Sequence, residues 1–481
     1  FSTYSVSEVT GEKIINRLDS GDINKYKNRG TNAVTYLSRS NWGETYPKQA
    51  AKLVLNKEMA EDLKRDTVPD DTGYTMPQYQ QLNGTKLSQG VKIADVKSGD
   101  RVAFDFINAP LDERSADWNA EWQTAWDELL DQMSQGEQIT MVSSSFHKIH
   151  GAASIALPES YQENGPVGIT KREDTKYIFS VPNQELIEEN GFVFVAYPCA
   201  GILAASFDTD IARRVGEHKS EDMLYLGYNG IYGPGVNMHR SPFGGRAFEY
   251  PSEDPYLAGV CEAYETIGIQ SKGCMAYAKH FALNDMETNR INCGVWSNEQ
   301  ASREIYLRAF EIVFKDGGAN ATMSAYTRIG TKWNGACKEM MTDILRSEWG
   351  YDGITISDWV TKSSGMSLLD GVMAGTDSFD ANNEFAAELE KYKDNAAVMQ
   401  AVRNAAKRLI YNVVRTNAMN NFDRDTYVIS VTPWWKTAII AIDATIGVLA
   451  AISAGMLVAS FVIHAKRKKA EGAINKQPQD E

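Results

Sequence analysis

Cysteine and histidine are scarce in this 481-residue chain, which contains five cysteines and six histidines. No CxxC pair and no Cys/His spacing typical of a zinc site occurs. An odd number of cysteines leaves one thiol unpaired in any disulfide scheme, so we expect mostly buried, reduced side chains. The cysteines are Cys199, Cys261, Cys274, Cys293 and Cys337.

Positive charge is also in short supply. The chain has 49 Lys and Arg against 63 Asp and Glu, a formal net charge of −14. Nucleic-acid binding needs a basic face, so we expect no nucleic-acid partner. The chain starts at Phe1 without an initiator Met, and no basic segment followed by an apolar run marks a signal peptide. We interpret it as a fragment or processed piece of something longer.

Apolar residues are plentiful, at 43% of the chain, so a sizeable core is expected. The length allows two or three domains, or one large barrel with additions. Residues 1–65 are interpreted as part of an α/β sandwich domain, with a strand at Ala33 to Leu37. Residues 66–115 are rich in Pro, Gly, Asn and Gln and are predicted to be a linker.

Strands alternate with helices over residues 116–420, which predicts a parallel sheet. Because polar residues gather where strands end, we expect a (β/α)₈ barrel of the TIM type with its active face at that edge. The predicted strands are Met223 to Leu226 running into Ile231 to Pro234, Cys274 to Tyr277, Ala321 to Ser324, and Gly353 to Ser357. The predicted helices are Trp118 to Met133, Asn298 to Phe314, and Lys338 to Trp349.

The last of these strands ends in Ser357-Asp358-Trp359. A barrel uses such a strand end to place a charged group in its catalytic mouth, so Asp358 is a candidate nucleophile. The alternative is an Asp that caps the following helix, which is a common use of this residue.

A loop dense in glycine and charge follows the Ile231 strand, from Gly233 to Tyr256. Loops so rich in charge seldom serve folding alone, and an arginine fork suits vicinal hydroxyls or a carboxylate. Lys279-His280 comes at the next strand end. Either residue alone would more often have a structural role, but together at a strand end they favour ligand contact.

The chain resembles glycoside hydrolase family 3 over roughly residues 125–420. Several long motifs match in family order, which is far more specific than any single motif. The matching segments are 233–259, 278–290, 303–311, 323–326 and 345–359.

The resemblance implies roles for individual residues. Asp358 would be the nucleophile. Tyr326 would lie beside it, and Trp359 would border the sugar. The residues expected to bind hydroxyls of the non-reducing sugar are Arg246, Lys279, His280 and Arg290.

Two positions depart from the family pattern. The family has Asp-Gly-Pro where this chain has Asn164-Gly165-Pro166, so Asn164 would keep one acceptor oxygen without the charge. The acid/base Glu of the family lies in an α/β domain after the barrel. Here Ser38-Arg39-Ser40-Asn41-Trp42-Gly43-Glu44 resembles that loop but precedes the barrel, which implies a permuted order with Glu44 as acid/base. A plain surface-loop Glu is the alternative.

The C-terminal tail contains an uncharged run from Ala444 to Ile463, about the 20 residues needed to cross a bilayer. Trp434 and Trp435 suit the interface, and four basic residues follow at 466–469. We therefore predict a transmembrane helix at 434–464 and a cytoplasmic tail at 465–481, with the catalytic domain outside. The alternative is a buried helix of a soluble domain.

The resulting hypothesis is a single-pass membrane protein that acts as a retaining, exo-acting β-glycosidase of the β-glucosidase type. Its substrates would be oligosaccharides or other glycosides, and no metal or organic cofactor is needed. Retention requires the two carboxyl groups to lie roughly 5 Å apart. The open alternative is a surface protein that binds or senses carbohydrate with an impaired site.

Overall fold

We analysed a computed structural model of the chain. It describes residues 6–22, 56–79, 89–93, 101–169, 182–183, 189–191, 195–291, 293–423, 425–429 and 434–474. The chain divides into two compact units, Phe1–Val428 and Ile429–Glu481. The strand predicted at Ala33 to Leu37 and the loop that carries Glu44 lie outside the described residues. The proposed sandwich domain at 1–65 and the linker at 66–115 stay predictions.

The first unit is an α/β structure built on a curled six-stranded sheet. Eleven strands are described in all: β1 Gln89–Lys92, β2 Lys148–Ile149, β3 Ser160–Asn164, β4 Gly230–Tyr232, β5 Met275–Phe281, β6 Gly294–Val295, β7 Ala321–Ser324, β8 Arg328–Ile329, β9 Lys332–Trp333, β10 Ile354–Ser357 and β11 Tyr427–Ile429. The main sheet has the order β10-β7-β5-β4-β3-β2. Its strands run parallel except for the antiparallel pair β2 and β3.

Helices connect the parallel strands, as the alternating pattern predicted. The helix Thr209–Leu226 lies between β3 and β4, and Pro255–Gln270 lies between β4 and β5. The helices Arg308–Lys315 and Glu339–Glu348 precede β7 and β10 in the same way. Each strand therefore pairs with the next parallel strand in the chain, and all their carboxyl ends meet at one edge. Among the described residues of this unit, the other helices with five or more residues are Lys57–Asp62, Ala120–Gln132, Gln135–Ser143, Ala200–Ala205, Ser302–Tyr306, Leu368–Ala374, Ala386–Glu390 and Ala396–Val413.

The strand predicted at Met223 to Leu226 is wrong, because these residues form the last turn of a helix. Asp208 caps that helix at its start, accepting hydrogen bonds from two backbone N–H groups of the first turn. Gly227 ends it in the left-handed conformation, with φ of 84°. Met223 and Leu226 are buried as members of a helical stripe, and the strand itself starts only at Gly230.

A closed barrel of eight strands is not confirmed, since the sheet of the described residues has six strands. Irregular backbone joins its two edges. Ser357 N–H donates to Ser378 O at 3.0 Å, which extends β10 towards the segment Ser378–Asp380. Phe379 then exchanges two backbone hydrogen bonds with Val142 and Ser145, both 2.9 Å long, just before β2. We call this junction, residues 378–380 against 142–147, the seam.

A buried ion cluster supports the strand that leads to Asp358. Asp377 is fully buried and accepts from Arg346 at 2.6 Å, from Arg408 at 2.5 Å and from the backbone N–H of Thr355 at 2.9 Å. The third bond fixes β10 in place, because Thr355 lies in its middle. A buried carboxylate with two guanidinium partners is satisfied only as a complete cluster.

The second unit contains one long helix, Trp434–Ile474, which has 41 residues. Within the described part of the chain it is the single helix long and apolar enough to cross a membrane, by length and composition. At about 1.5 Å per residue it is roughly twice as long as a bilayer core is thick.

The five cysteines are unpaired, in agreement with the expectation of reduced thiols.

We predict that Asp377→Asn lowers the free energy of unfolding by about 3–5 kcal/mol, because it leaves the buried Arg346 without its full counter-charge. Urea unfolding followed by circular dichroism measures the change. Asp425→Asn is the matched control. Asp425 forms an exposed ion pair with Lys92, and its loss should leave the free energy of unfolding almost unchanged. Equal effects of the two variants would contradict the structural role of the buried cluster.

Candidate active site

The carboxyl edge of the sheet gathers the polar residues that the sequence singled out. β3 ends at Asn164, β5 carries Lys279 and His280 near its end, and Asp358 follows β10 directly. Arg246 lies in the long loop after β4, and Tyr326 comes two residues after β7. Parallel strands put these ends side by side, so residues far apart in sequence share one small region.

Asp358 has one oxygen engaged and one oxygen available. Its Oδ1 accepts the backbone N–H of Trp359 at 2.7 Å. Its Oδ2 is buried and has no hydrogen-bond partner among the described residues, although His280 Nε2 is 3.6 Å away. A buried carboxylate oxygen without a partner is costly, so it is most readily explained as a group that meets a ligand.

His280 is neutral in this arrangement. Burial is the main cause that holds the pKa of His280 well below its usual value, and the neighbouring Arg246 and Lys279 charges add to it. Arg246 donates to His280 Nε2 at 2.8 Å, so this nitrogen carries no proton. The proton is then on Nδ1, which donates to Tyr250 Oη at 3.0 Å. His280 therefore orients Arg246 beside Asp358 without adding a charge.

Glu249 balances the cations of the site. A short turn over Ala247–Glu249 places it three residues from Arg246, whose guanidinium donates to it at 3.0 and 2.5 Å. Its Oε2 is also 3.9 Å from Lys279 Nζ. Burial acts to raise the pKa of Glu249, but Lys279 and Arg246 outweigh burial, and the pKa is lowered. Glu249 is therefore ionised and holds both cations near Asp358.

Lys279 is buried, with 3% of its surface exposed. Burial lowers its pKa to about 8, while the charge of Glu249 acts in the opposite direction. Its Nζ donates to Asn164 Oδ1 at 3.3 Å. Asn164, which replaces the family's Asp, therefore lies at the same strand-end cluster and uses its one acceptor oxygen towards Lys279.

The other side of the site is formed by Arg290, Tyr326 and Trp359. The Arg290 guanidinium lies 4.7 Å from the centre of the Tyr326 ring, and Arg290 pairs with Glu287 at 3.2 Å. Tyr326 donates its hydroxyl proton to the backbone carbonyl of Trp359 at 2.5 Å. The indole of Trp359 is 44% exposed, as expected of a ring at the rim of an open site.

The structure thus brings eight of the nine predicted site residues to one edge of the sheet. The ninth, Glu44, lies outside the described residues. Sequence reasoning did not single out Glu249, Tyr250, Asn284 or Asp380, which support the first set. Glu249 could have been found, since it stands in the charged loop already noted. Asp380 gave no signal. No group of three His, Cys, Asp or Glu in the described ranges is arranged to hold a metal ion.

Comparison with known proteins agrees with this geometry. Residues 188–411 match the family model of the glycosyl hydrolase family 3 N terminal domain. This chain carries a glycoside hydrolase family 3 domain.

Relatives and solved structures support the assignment. The chain is 37% identical over 205 residues to beta-glucosidase A of Butyrivibrio fibrisolvens, and this alignment covers 43% of the chain and 23% of that protein. It is 36% identical over 227 residues to an exo-alpha-(1->6)-L-arabinopyranosidase of Bifidobacterium longum, covering 47% and 29%. The structure of beta-glucosidase 3B from Thermotoga neapolitana with glucose aligns with a TM-score of 0.53 at 27% identity, covering 66% of this chain and 46% of that one. The chain thus spans about a quarter of the curated relatives' length.

We predict that Lys279→Met raises the free energy of unfolding at pH 7 by about 3 kcal/mol. The pKa of Lys279 is lower in the folded state than in the unfolded state, so folding disfavours the charged form, and this cost is fully present below pH 8. It fades as the pH rises from 8 towards 10.5, because the lysine of the folded state then becomes neutral. Denaturant unfolding at pH 7 and pH 10 measures the difference between variant and wild type.

Lys338→Met is the control, since this exposed lysine forms a surface ion pair with Asp343. It should show no such gain at pH 7. A destabilised Lys279→Met protein at pH 7 would mean that the bonds of Lys279 outweigh the cost of its burial.

Proposed function

We propose that this protein is a retaining, exo-acting β-glycosidase of the β-glucosidase type, which removes terminal non-reducing sugars from oligosaccharides or other glycosides. The observation that carries the proposal is the buried, unpaired Oδ2 of Asp358 at the rim of a cation-lined strand edge. The oxygen is free to attack an anomeric carbon. The names of the relatives favour hydrolysis over a protein that only binds or senses sugar.

The remaining polar groups suit the binding of a sugar ring. Lys279 and Asn164 offer donors and an acceptor at one side, and Arg246 with His280 lies next to the nucleophile. Such closely spaced donors match vicinal hydroxyl groups. Trp359 would border the ring, and Tyr326 would fix the loop after Asp358 through its bond to the Trp359 carbonyl.

We propose Glu44 as the acid/base, in an α/β domain that precedes the family 3 domain. Glu44 would protonate the leaving oxygen, and would then activate water against the glycosyl-enzyme intermediate. This requires Glu44 to stay protonated while Asp358 is ionised, so the two must have different environments. The support is the motif in the sequence together with the greater length of the relatives.

We further propose that the helix Trp434–Ile474 anchors the protein in a membrane, with the catalytic unit outside and the C-terminus in the cytoplasm. Its first 38 residues, Trp434–Glu471, have the length and the apolar composition that a membrane span needs. Two tryptophans at its start suit one interface, and the basic cluster at 466–469 suits the cytoplasmic side.

The catalytic prediction concerns Asp358→Ala in the full-length protein. It should reduce hydrolysis of an aryl β-glucoside by roughly a thousandfold or more, because the covalent step loses its nucleophile. Release of the phenol measures the rate, and proton NMR of the first product should show the β-anomer. Asp425→Ala on the exposed surface is the control. An initial α-anomer would contradict retention, and unchanged activity would remove Asp358 from its role.

The same assay tests Glu44. Glu44→Ala should slow turnover, and azide should restore the rate on activated substrates. Azide attacks the anomeric carbon of the glycosyl-enzyme without needing a general base, which releases the Asp358 carboxylate and forms a glycosyl azide. If Glu44→Ala behaves as wild type, the acid/base is another residue. Sugar binding by the wild type without turnover would favour the binding-only alternative.

The membrane prediction uses the full-length protein and a variant that ends at residue 433. We expect the full-length chain in the membrane fraction after alkaline extraction and the shortened chain in the soluble fraction, because about 20 apolar residues are enough to hold a helix in a bilayer. A tag after Glu481 should be protected from protease added outside intact cells. A full-length protein that stays soluble would overturn the anchor, and a digested tag would overturn its orientation.

A further inference from the structure

A second buried carboxyl group, Asp380, lies at the seam directly beside the loop of Asp358. The backbone of Asp380 forms hydrogen bonds to residues before and after Asp358. Asp380 N–H donates to Ser357 Oγ at 3.0 Å, and its carbonyl accepts the N–H of Val360 at 2.8 Å. Ser357 immediately precedes Asp358, and Val360 follows it by two residues, so any shift of Asp380 moves the nucleophile.

The carboxyl group of Asp380 reaches the opposite edge of the sheet. Its Oδ1 accepts the backbone N–H of His147 at 3.0 Å and the hydroxyl of Tyr232 at 3.4 Å. His147 precedes β2 and Tyr232 ends β4. The Asp380 side chain thereby links the segment 378–380 to the residues before β2 and to the end of β4, at the place where strand pairing is interrupted.

The contacts of Asp380 extend to both walls of the site. The imidazole of His147 lies 3.4 Å from Glu163, which accepts the backbone N–H of Asn164 at 2.8 Å. Phe146, next to His147, packs against Trp359 with ring centres 6.0 Å apart. Asp380 therefore holds the segment that connects the sugar-binding strand end β3 with the rim residue Trp359.

The electrostatic surroundings of Asp380 link it to Asp358. Burial is the main cause that raises the pKa of Asp380 to about 6, and the charge of Asp358 raises it further, while His147 acts against both. Ionisable groups face Asp380 from several elements: His147, Tyr232, Tyr277, Tyr326 and Asp358. The charge of Asp358 therefore acts on the ionisation of Asp380.

The hydrogen bonds of Asp380 go to the Asp358 loop, to His147 and to Tyr232. Its effect must pass through the loop that it holds. We propose that Asp380 is a positioning residue that fixes the Asp358 loop against the seam and so sets the orientation of the Asp358 carboxylate. This inference rests on the proposed function of Asp358.

The kinetic test compares Asp380→Ala, Asp380→Asn and Ser357→Ala on an aryl β-glucoside. Asp380→Ala should lower kcat by about ten- to a hundredfold with KM within about threefold of wild type, because a misaimed nucleophile affects the chemical step more than binding. Ser357→Ala removes only the acceptor for Asp380 N–H and should lower kcat by about three- to tenfold.

Asp380→Asn keeps an acceptor oxygen and should restore most of the lost kcat. Because asparagine does not titrate, this variant should also lose the inflection near pH 6 in the pH profile of kcat. A purely structural role would lower melting temperature, kcat and binding together and leave the pH profile unchanged. Asp285→Asn is the matched control, because Asp285 is also buried, its pKa is also raised to about 6, and its partner is Met238 N–H rather than the Asp358 loop.

An activity-independent measurement uses protein with ¹³C-labelled aspartate carboxyl groups. The NMR resonance that is missing in Asp380→Asn identifies Asp380, and its titration midpoint should lie near pH 6. In Asp358→Asn this midpoint should fall, because the neighbouring negative charge is gone. An unchanged midpoint, or wild-type kcat in Asp380→Ala, would overturn the inference. Absence of hydrolysis by the wild type would instead defeat the proposed function.

Discussion

Charge balance at the carboxyl edge of the sheet is the constraint on which the site depends. Three basic side chains, Arg246, Lys279 and His280, are packed where burial opposes their charge. The arrangement is tolerable because Glu249 stays ionised between two of them and because the third is neutral. Without Glu249, the two cations would repel each other in a region of low dielectric constant. The two cations near Asp358 thus depend on the Glu249 carboxylate for their charge balance.

The seam explains how a sheet of six described strands can still enclose a site. Strand pairing stops at β10 on one side and β2 on the other, and the remaining gap is joined by the irregular segments 378–380 and 142–147. Irregular backbone can point a side chain where a regular strand cannot, since it is free of the strict alternation of a strand. Asp380 uses this freedom to direct its carboxyl group at His147 and Tyr232 while its main chain holds the Asp358 loop.

Of the two departures from the family pattern, Asn164 lies among the described residues and Glu44 lies outside them. Asn164 lies at the expected strand end and accepts from Lys279, so the loss of the carboxylate charge leaves the position of the group intact. Lys279 gains less from this neutral acceptor than from a carboxylate, because charge-assisted hydrogen bonds are stronger. Glu249 supplies the nearby negative charge instead. The second departure, the placement of Glu44 before the family 3 domain, rests on the sequence motif.

Much of this architecture could be predicted from the sequence, because local signals are strong where a short run rich in β-branched residues ends in a charged residue. The strand of Ile354 to Ser357, the polar residues after it and the helices between strands follow from such signals. The segment Met223 to Leu226 was misjudged because four apolar or aromatic residues fit either a strand or a helix, and the helix caps of Asp208 and Gly227 decided between them. By itself the sequence determined the alternation of strands and helices, the candidate nucleophile and the apolar tail. Only the tertiary structure decided which charges are balanced, which tautomer His280 adopts and how the edges of the sheet meet. These depend on contacts between residues of different elements, 30 to 34 positions apart at His280 and 233 positions apart between His147 and Asp380 at the seam.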